Sequence, residues 1–351
     1  MKKSLLVLGK GDTPYADMGR KAFVNRALAS GFDVCEADYH KIKKIRSFRG
    51  EKINVMFFFP YSFWNKHCEA PKDTQLYGTS RQAYEKFRVF FSNVRSQLEK
   101  TFCGQELVYA IPPQTAPIDR DKLETVNILR AKGVPTAEPI NYSSLSGIIE
   151  NVSPERGVFI KCRYGAQGKG ITVLHHDKWV TNYKVENGRL ANYGINDYWH
   201  FSDISAREDL LGQLISHDVI VERQILPPYA FQKKIFDLRA YVVGDSVPYV
   251  VLRLNGADKE ISNFSQGAEV MPYSHCAHGE NNLHLIELVS LQAARAMNLR
   301  FAGVDIMFDK NFENPKVIEL QAFPGFSGFL GLPGFNLADC MAGKNGLFPE
   351  E

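Results

Sequence analysis

The sequence has no run of apolar residues approaching the ~18 that a membrane-spanning helix requires, so no membrane crossing is expected. It has no low-complexity tract and no CxxC pair. Its six cysteines, Cys35, Cys68, Cys103, Cys162, Cys276 and Cys340, are scattered, the pattern of ordinary buried thiols in a reducing cytoplasm. Charge of one sign is also scarce: a net +3 gives no electrostatic case for a nucleic acid or a membrane surface as partner. The basic start is followed by only about five apolar residues before charge returns, too few for a secretory signal, so this segment reads as a strand. What remains is the composition of a soluble globular protein, 44% hydrophobic and 23% charged, and 351 residues imply two or three domains.

Strand and helix patterns alternate at the start of the chain. Ser4–Leu8, Asp33–Ala37, residues 53–59 and residues 107–111 read as strands. A helix is expected to about Ser30, with Gly31 as its stop. Residues 81–100 carry Tyr84, Phe87, Phe91, Val94 and Leu98 at intervals of three and four, one face of a long helix. This alternation predicts a small parallel α/β domain over residues 1–115. The Gly9-Lys10-Gly11 turn lacks the third glycine of a dinucleotide fingerprint and reads as a plain strand-to-helix turn.

A proline-rich linker, residues 112–117, closes that domain, and a helix is expected over residues 119–132. A strand at 157–161 then leads through Arg163-Tyr164-Gly165-Ala166-Gln167-Gly168-Lys169-Gly170 into Ile171–Leu174. This is a glycine-rich hairpin loop without Walker spacing. Its glycines would let backbone amides approach an anion, with Lys161 adding a point charge; an ordinary flexible hairpin is the alternative. Asn187-Gly188 marks a tight hairpin, residues 194–205 a polar excursion and residues 207–216 a helix. Strands follow at 219–221, 237–243 and 247–254, with a break at Pro227-Pro228, then a polar loop at 261–269 and an amphipathic helix at 284–298.

The last two strands carry the most telling chemistry. Residues 300–308 form an apolar strand with Asp305 at its middle, and Lys316–Gln321 a second with Glu319 and Gln321 one pleat repeat apart. The turn-rich connection at 309–315 predicts a hairpin, which brings the three oxygen-bearing side chains to one side of a sheet. Buried carboxylates need partners. A hard divalent cation with positions open for phosphate is one kind, and arginines are another.

Taken in order, these elements resemble the ATP-grasp superfamily, and within it the RimK-type amino-acid ligases and the YheC/YheD-type coat-associated proteins. The resemblance rests on Phe236-Asp237-Leu238-Arg239, Arg253, Ser262-Asn263-Phe264, Gly303-Val304-Asp305 and Glu319-Leu320-Gln321 with Pro324-Gly325. It implies an α/β and α+β ATP-grasp fold: a parallel-sheet domain at 1–115, a central lobe at 116–205 with the glycine-rich loop, and a C-terminal lobe at 206–351 with a metal site. It further implies that Lys122 and Lys161 hold the α- and β-phosphates of ATP beneath the loop of Gly165, Gln167, Gly168 and Gly170. Glu222, with the backbone of Arg223, Gln224 and Ile225, would read adenine, and Asp237 would lie near the ribose. Arg239, Arg253 and Asn263 would face the γ-phosphate and the anionic intermediate. Asp305, Glu319 and Gln321 would bind one or two Mg²⁺, or Mn²⁺ in its place, and the Pro324–Gly328 exit would approach the acyl group.

Two departures bear on substrate. Gln266 stands where an arginine is common and Ile261 where a basic residue is frequent, so a glutamate-like acceptor is less assured. Gln321 replaces the usual asparagine but still offers an amide oxygen. The inventory suits ATP-dependent carboxylate–amine ligation through an acylphosphate, since phosphoryl transfer asks for positioning and charge neutralisation more than for a protein nucleophile. No convincing Ser-His-Asp or Cys-His set is present. The expected partners are small-molecule or peptide acids and amines, with a homo-oligomer left open; the alternatives are a kinase of the same fold and a coat-associated ATP-binding protein with degenerate catalysis. His275-Cys276-Ala277-His278 reads as a loop and not a zinc site, His175-His176 as a solvated strand end, and Phe57–Phe59 with Phe63-Trp64 as core rather than substrate pocket.

Overall fold

Ser4–Leu8 (β1) is apolar apart from its first residue and buried throughout, as a parallel strand covered on both faces must be. A computed structural model describes the chain except residues 1–2, 46–47, 49, 70–74, 195–196, 231–232, 277–278 and 350–351. With β2 (Asp33–Ala37), β3 (Lys52–Phe57) and β4 (Glu106–Tyr109), β1 forms a wholly parallel sheet in the order β2-β1-β3-β4. Its helices are α1 (Pro14–Ala29), the short α2 (Tyr61–Trp64) and α3 (Arg81–Thr101). α3 buries the expected stripe of Tyr84, Phe87, Phe91, Val94 and Leu98, and Ser80 caps it by accepting from the Ala83 amide.

The next helix, α4, spans Lys122–Ala131, not residues 119–132. Residues 118–120 form a 3₁₀ turn, and the Asp121 side chain accepts from the Glu124 amide, which fixes the helix start at Lys122. After α5 (Leu145–Ile149) come β5 (Val158–Cys162), β6 (Ile171–Leu174), β7 (Trp179–Thr181), the hairpin β8 (Lys184–Glu186) and β9 (Arg189–Ala191), β10 (Ser202–Asp203), α6 (Glu208–Ile215) and β11 (Val219–Arg223). The central sheet runs β10-β7-β6-β5-β11 and is antiparallel. Because β11 pairs with β5, an expected boundary at residue 205 would cut this sheet: α6 and β11 belong with the central lobe.

The third sheet contains β12 (Tyr229–Ala230), β13 (Lys234–Val243), β14 (Ser246–Asn255), β15 (Glu269–Pro272), β16 (Phe301–Met307) and β17 (Lys316–Gln321), ordered β15-β14-β13-β16-β17 with β12 on β13. α7 (Gly279–Ala296) lies against it, and α8 (Leu337–Ala342) lies on α1. The expected hairpin of β16 and β17 is present. One apolar core runs from the parallel sheet into this third sheet; Phe59 meets Phe323 at 5.6 Å and Phe58 meets Phe326 at 6.5 Å between ring centroids. The central lobe has a separate core around Ile160, Tyr183 and Leu211. Phe57–Phe59 and Trp64 are therefore core, although a cavity of about 40 Å³ remains between Phe57–Phe59 and Phe323–Ser327.

Candidate active site

Strand register assembles the charged end of the site. Asp237 is opposite Arg253 on β13 and β14, Arg239 is opposite Asp305 on β13 and β16, and Asp305 is opposite Glu319 on β16 and β17. Cross-strand neighbours share a face, so four sequence-distant segments deliver their side chains to one patch. Arg239 donates from Nε to Asp305 Oδ1 and from Nη2 to Oδ2 at 2.9 Å. Arg253 Nη2 lies 3.0 Å from the same Oδ2, and its Nε donates to Asp237. Two acids and two arginines thus form a closed network, each of them less than 10% exposed. Burial pushes the Asp237 carboxyl up to about 6, with Arg253 pulling it down and Asp305 pushing it up.

Next to this network the charges pair differently. Lys122 Nζ lies 3.2 Å from Glu319 Oε1 and also donates to the Gly165 carbonyl, so one ammonium ties the glycine-rich loop to β17. Lys161 Nζ lies 2.5 Å from Glu222 Oε2. Gln321 Nε2 donates to Glu319 Oε2 at 3.0 Å. Burial opposes ionisation of Glu319, but Lys122 first, then Gln321, Arg239 and Arg120, outweigh it and hold its carboxyl at about 2. Glu319 is a carboxylate at any physiological pH.

These groups face a cavity of about 520 Å³ between the central lobe and the third sheet. Its lining combines apolar side chains, Phe159, Ile171, Ile225, Leu226, Met307 and Ile318, with charged ones, Lys122, Lys161, Glu222, Arg253, Asp305 and Glu319. Phe159 stands opposite Glu222 and Ile171 opposite Lys161 across the central sheet. Gly168 and Asn263 reach it from opposite lobes, and Arg223 and Gln224, at the end of β11, also line it. The remaining expected residues stand back from it: Asp237, Arg239 and Gln321 act on the cavity through their partners, and Gly165, Gln167 and Gly170 form the base and flank of the loop. Asp237 does not line the cavity, and its carboxyl accepts from Arg253.

The lobes touch across the cavity. Gln266 Nε2 donates to the Gln167 carbonyl at 3.2 Å, and a Cβ on Gly168 would stand 2.9 Å from Asn263 Oδ1. His175 Nε2 is 2.8 Å from Glu260 Oε2. His175 is therefore not a solvated strand end but a half-buried link between lobes, and its partner in the 256–261 turn lies 85 residues away. Among the described residues no cluster of three or more His, Cys, Asp or Glu side chains has a metal-holding arrangement. Of the 275–278 segment, Cys276 is buried, and residues 277–278 lie outside the described residues.

Several contributing residues left no local signal. Asp121 clamps Arg163 through two 2.7 Å contacts and thereby sets the first turn of α4, where Lys122 begins. Asp119, fully buried, accepts from the Ala322 amide just beyond Gln321. Asn182 accepts from Ile171 N and donates to the Gly168 carbonyl, holding one end of the loop. Each has a partner far away in sequence or reached only once the strands pair.

The comparisons with known proteins agree with this architecture. The model of a family described as YheC/D like ATP-grasp matches residues 120–331. A probable alpha-L-glutamate ligase of Picosynechococcus sp. is 26% identical over 223 residues, 62% of this chain and 60% of the relative. A tetrahydromethanopterin:alpha-L-glutamate ligase of Methanocaldococcus jannaschii is 32% identical over 108 residues, 31% of this chain and 34% of the relative. The chain thus spans no more than about 60% of these two curated relatives. A solved structure of the ATP-grasp ligase PsnB complexed with a phosphomimetic variant of minimal precursor, Mg and ADP superposes with a TM-score of 0.58 over 97% of each chain at 14% identity, a likeness of fold. This chain belongs to the YheC/D-like ATP-grasp family.

Proposed function

We propose that the chain is an ATP-dependent carboxylate–amine ligase that forms an amide through an acylphosphate and releases ADP and phosphate. The observation that carries this reading is the mixed lining of the cavity: apolar side chains together with lysines, arginines and carboxylates, with the glycine-rich loop contributing Ala166 and Gly168. Adenine would suit the apolar side chains of this lining, Ile225 and Leu226 among them. The amides of Arg223 and Gln224 donate to the Glu138 and Gly157 carbonyls. Hinge contacts from those two residues would fall to their carbonyl oxygens, leaving Ile225 to donate. Glu222, already paired with Lys161, positions that lysine rather than reading the base.

The phosphates would lie along Lys122 and Lys161, exchanging the present carboxylate contacts for phosphate oxygens. Asp305, Glu319 and Gln321 offer only hard oxygen donors, with Glu319 ionised, a set that fits Mg²⁺, in one or two ions, or Mn²⁺. Bound there, the metal would neutralise phosphate charge during transfer. Arg239 and Arg253 hold the Asp305 carboxylate from both sides and keep positive charge at the reacting end, where Asn263 can donate from the facing loop.

In the first step a carboxylate oxygen of the acid attacks the γ-phosphorus; the bond to the β-phosphate bridging oxygen breaks and ADP leaves. In the second, the amine nitrogen attacks the acyl carbon, the bond to the phosphate oxygen breaks, and the amine proton passes to phosphate or water. The acid and amine are read as small molecules, amino acids or a peptide terminus. Glutamate is not carried over from the named relatives, since Ile261 lines the cavity and the Gln266 amide is taken up by Gln167.

The test is product analysis with Mg²⁺, ATP and a panel of amino acids and peptides. ADP release that requires both an acid and an amine, with an amide product, is the expected outcome. Turnover with a single acceptor and a stable phosphorylated product would instead establish a kinase, and nucleotide binding without turnover a degenerate, coat-associated type of protein.

A further inference from the structure

Lysine in a glycine-rich loop is expected to meet phosphate. Lys169 does not. Lys169 lines the cavity, yet its ammonium lies 2.8 Å from Glu69 Oε1, a residue of the parallel-sheet domain at the end of that domain's short turn Asn65–Glu69. Both side chains are more than nine-tenths buried. The ammonium also sits 5.5 Å from the Tyr77 ring centroid and 5.9 Å from that of Trp199. Trp64 Nε1 donates to the other oxygen of Glu69 at 2.7 Å, so the carboxylate is held from both sides.

A second set of contacts comes from the same domain. Tyr77 Oη accepts from the Ala166 amide at 3.1 Å, inside the loop. The Gly78 carbonyl accepts from the Tyr164 amide at 2.7 Å, at the loop's entrance. Tyr183 Oη donates to the Tyr77 carbonyl at 2.8 Å, and Asn192 holds both the Tyr77 amide and the Gln75 carbonyl. Segment 75–79 is thus strapped to the central lobe, and the loop to the strap. Gly165 and Gly170 press on Cys162 Sγ so closely that a Cβ at either would collide with it.

We propose that Glu69 and Tyr77 of the N-terminal domain are positioning residues for the glycine-rich loop, holding it over the cavity before nucleotide arrives. The inference rests on the nucleotide reading above and adds that the loop's order is set from outside the family-matched region, which starts at residue 120. A loop ordered in advance costs less to immobilise on binding, so loss of the strap falls on nucleotide affinity.

The experiment measures hydrogen exchange of the nucleotide-free chain and ATP affinity by calorimetry, in the wild type, Tyr77→Phe and Glu69→Gln. Tyr77→Phe keeps the ring and removes the acceptor for Ala166; one lost hydrogen bond should weaken ATP binding about fivefold. Glu69→Gln keeps the Trp64 contact and removes the charge facing Lys169, with a loss of about tenfold. In both, exchange should quicken over residues 164–170 and stay at the wild-type rate over Ile171–Leu174 and Val219–Arg223. Equal ATP affinity in all three proteins overturns the proposal, as does faster exchange spread over the whole central lobe, which would mean general loosening. Should Glu69→Gln fail to fold, Tyr77→Phe decides alone. A wild type that binds no ATP removes the nucleotide reading and this proposal together, a result distinct from equal affinities.

Discussion

Two sets of ion pairs meet at the cavity and are built on opposite terms. Asp237, Arg239, Arg253 and Asp305 form a buried, charge-balanced network inside the third sheet, with Arg253 and Asp305 at its cavity edge. Lys122–Glu319 bridges elements of different lobes, Lys161–Glu222 joins neighbouring strands of the central sheet, and both lysines line the cavity with 17% of their side chains exposed. In a buried network of this kind, losing one member strands a charge in low dielectric. A cavity-facing pair can trade partners, because an entering anion or cation replaces what it displaces. The first set is scaffold for the second, and substitution in each should be felt in a different measurement.

The largest effect is expected from Asp305→Asn. It leaves two guanidiniums with one carboxylate, and arginine cannot shed its proton to relieve the imbalance. Urea denaturation of the nucleotide-free protein should show a loss of about 3–5 kcal/mol. A loss below about 1 kcal/mol would mean the network is not a closed scaffold and would erase the contrast. Glu319→Ala should do the opposite: Mg·ATP turnover is abolished while the circular dichroism spectrum and the urea midpoint stay near wild type, since Lys122 keeps its contact with Gly165. Normal turnover in that variant would remove Glu319 from the metal set. Lys161→Met, smaller in effect, should weaken ATP binding by roughly tenfold to a hundredfold, the worth of a hydrogen bond to a charged group; unchanged affinity would show that Lys161 serves only to pair Glu222.

The same contrast explains what could be read from the chain. The hairpin of β16 and β17 was legible because Asp305, Glu319 and Gln321 sit at pleat spacing inside apolar runs bounded by turn residues. The stripe on α3 was legible for the same reason, a period visible within one element. The pairing of charges was not. Nothing local says that Asp237 faces Arg253, since that follows from strand register. Nothing in a histidine pair at the end of β6 points to Glu260. Nor does the composition of residues 206–223 reveal that β11 closes the central sheet; only the β5 pairing does. Local chemistry was readable where period or turn composition carried it, and lost wherever two distant segments had to meet.

His175 offers the smallest and most conditional test of the lobe-bridging pairs. Its hydrogen bond to Glu260 raises the imidazole above its ordinary value, against burial, which lowers it; Glu260 and Asp177 favour the charged form further and Lys178 opposes it. A group whose value is raised in the closed state contributes fully below its ordinary value of about 6.5 and loses that contribution as pH climbs through the raised one. Closure of the lobes, and with it ATP affinity, should therefore weaken with rising pH in that window by up to about fivefold, the worth of a partly exposed ion pair near 1 kcal/mol. The triphosphate itself titrates nearby, so the slope means nothing alone. Calorimetric affinities at pH 6 and pH 8 for wild type and His175→Gln cancel that background: the ligand is the same, and only the wild type carries the switchable charge. A difference between the two slopes makes His175–Glu260 a cavity pair of the tradable kind, and parallel slopes would reduce it to a contact that closure neither needs nor strengthens.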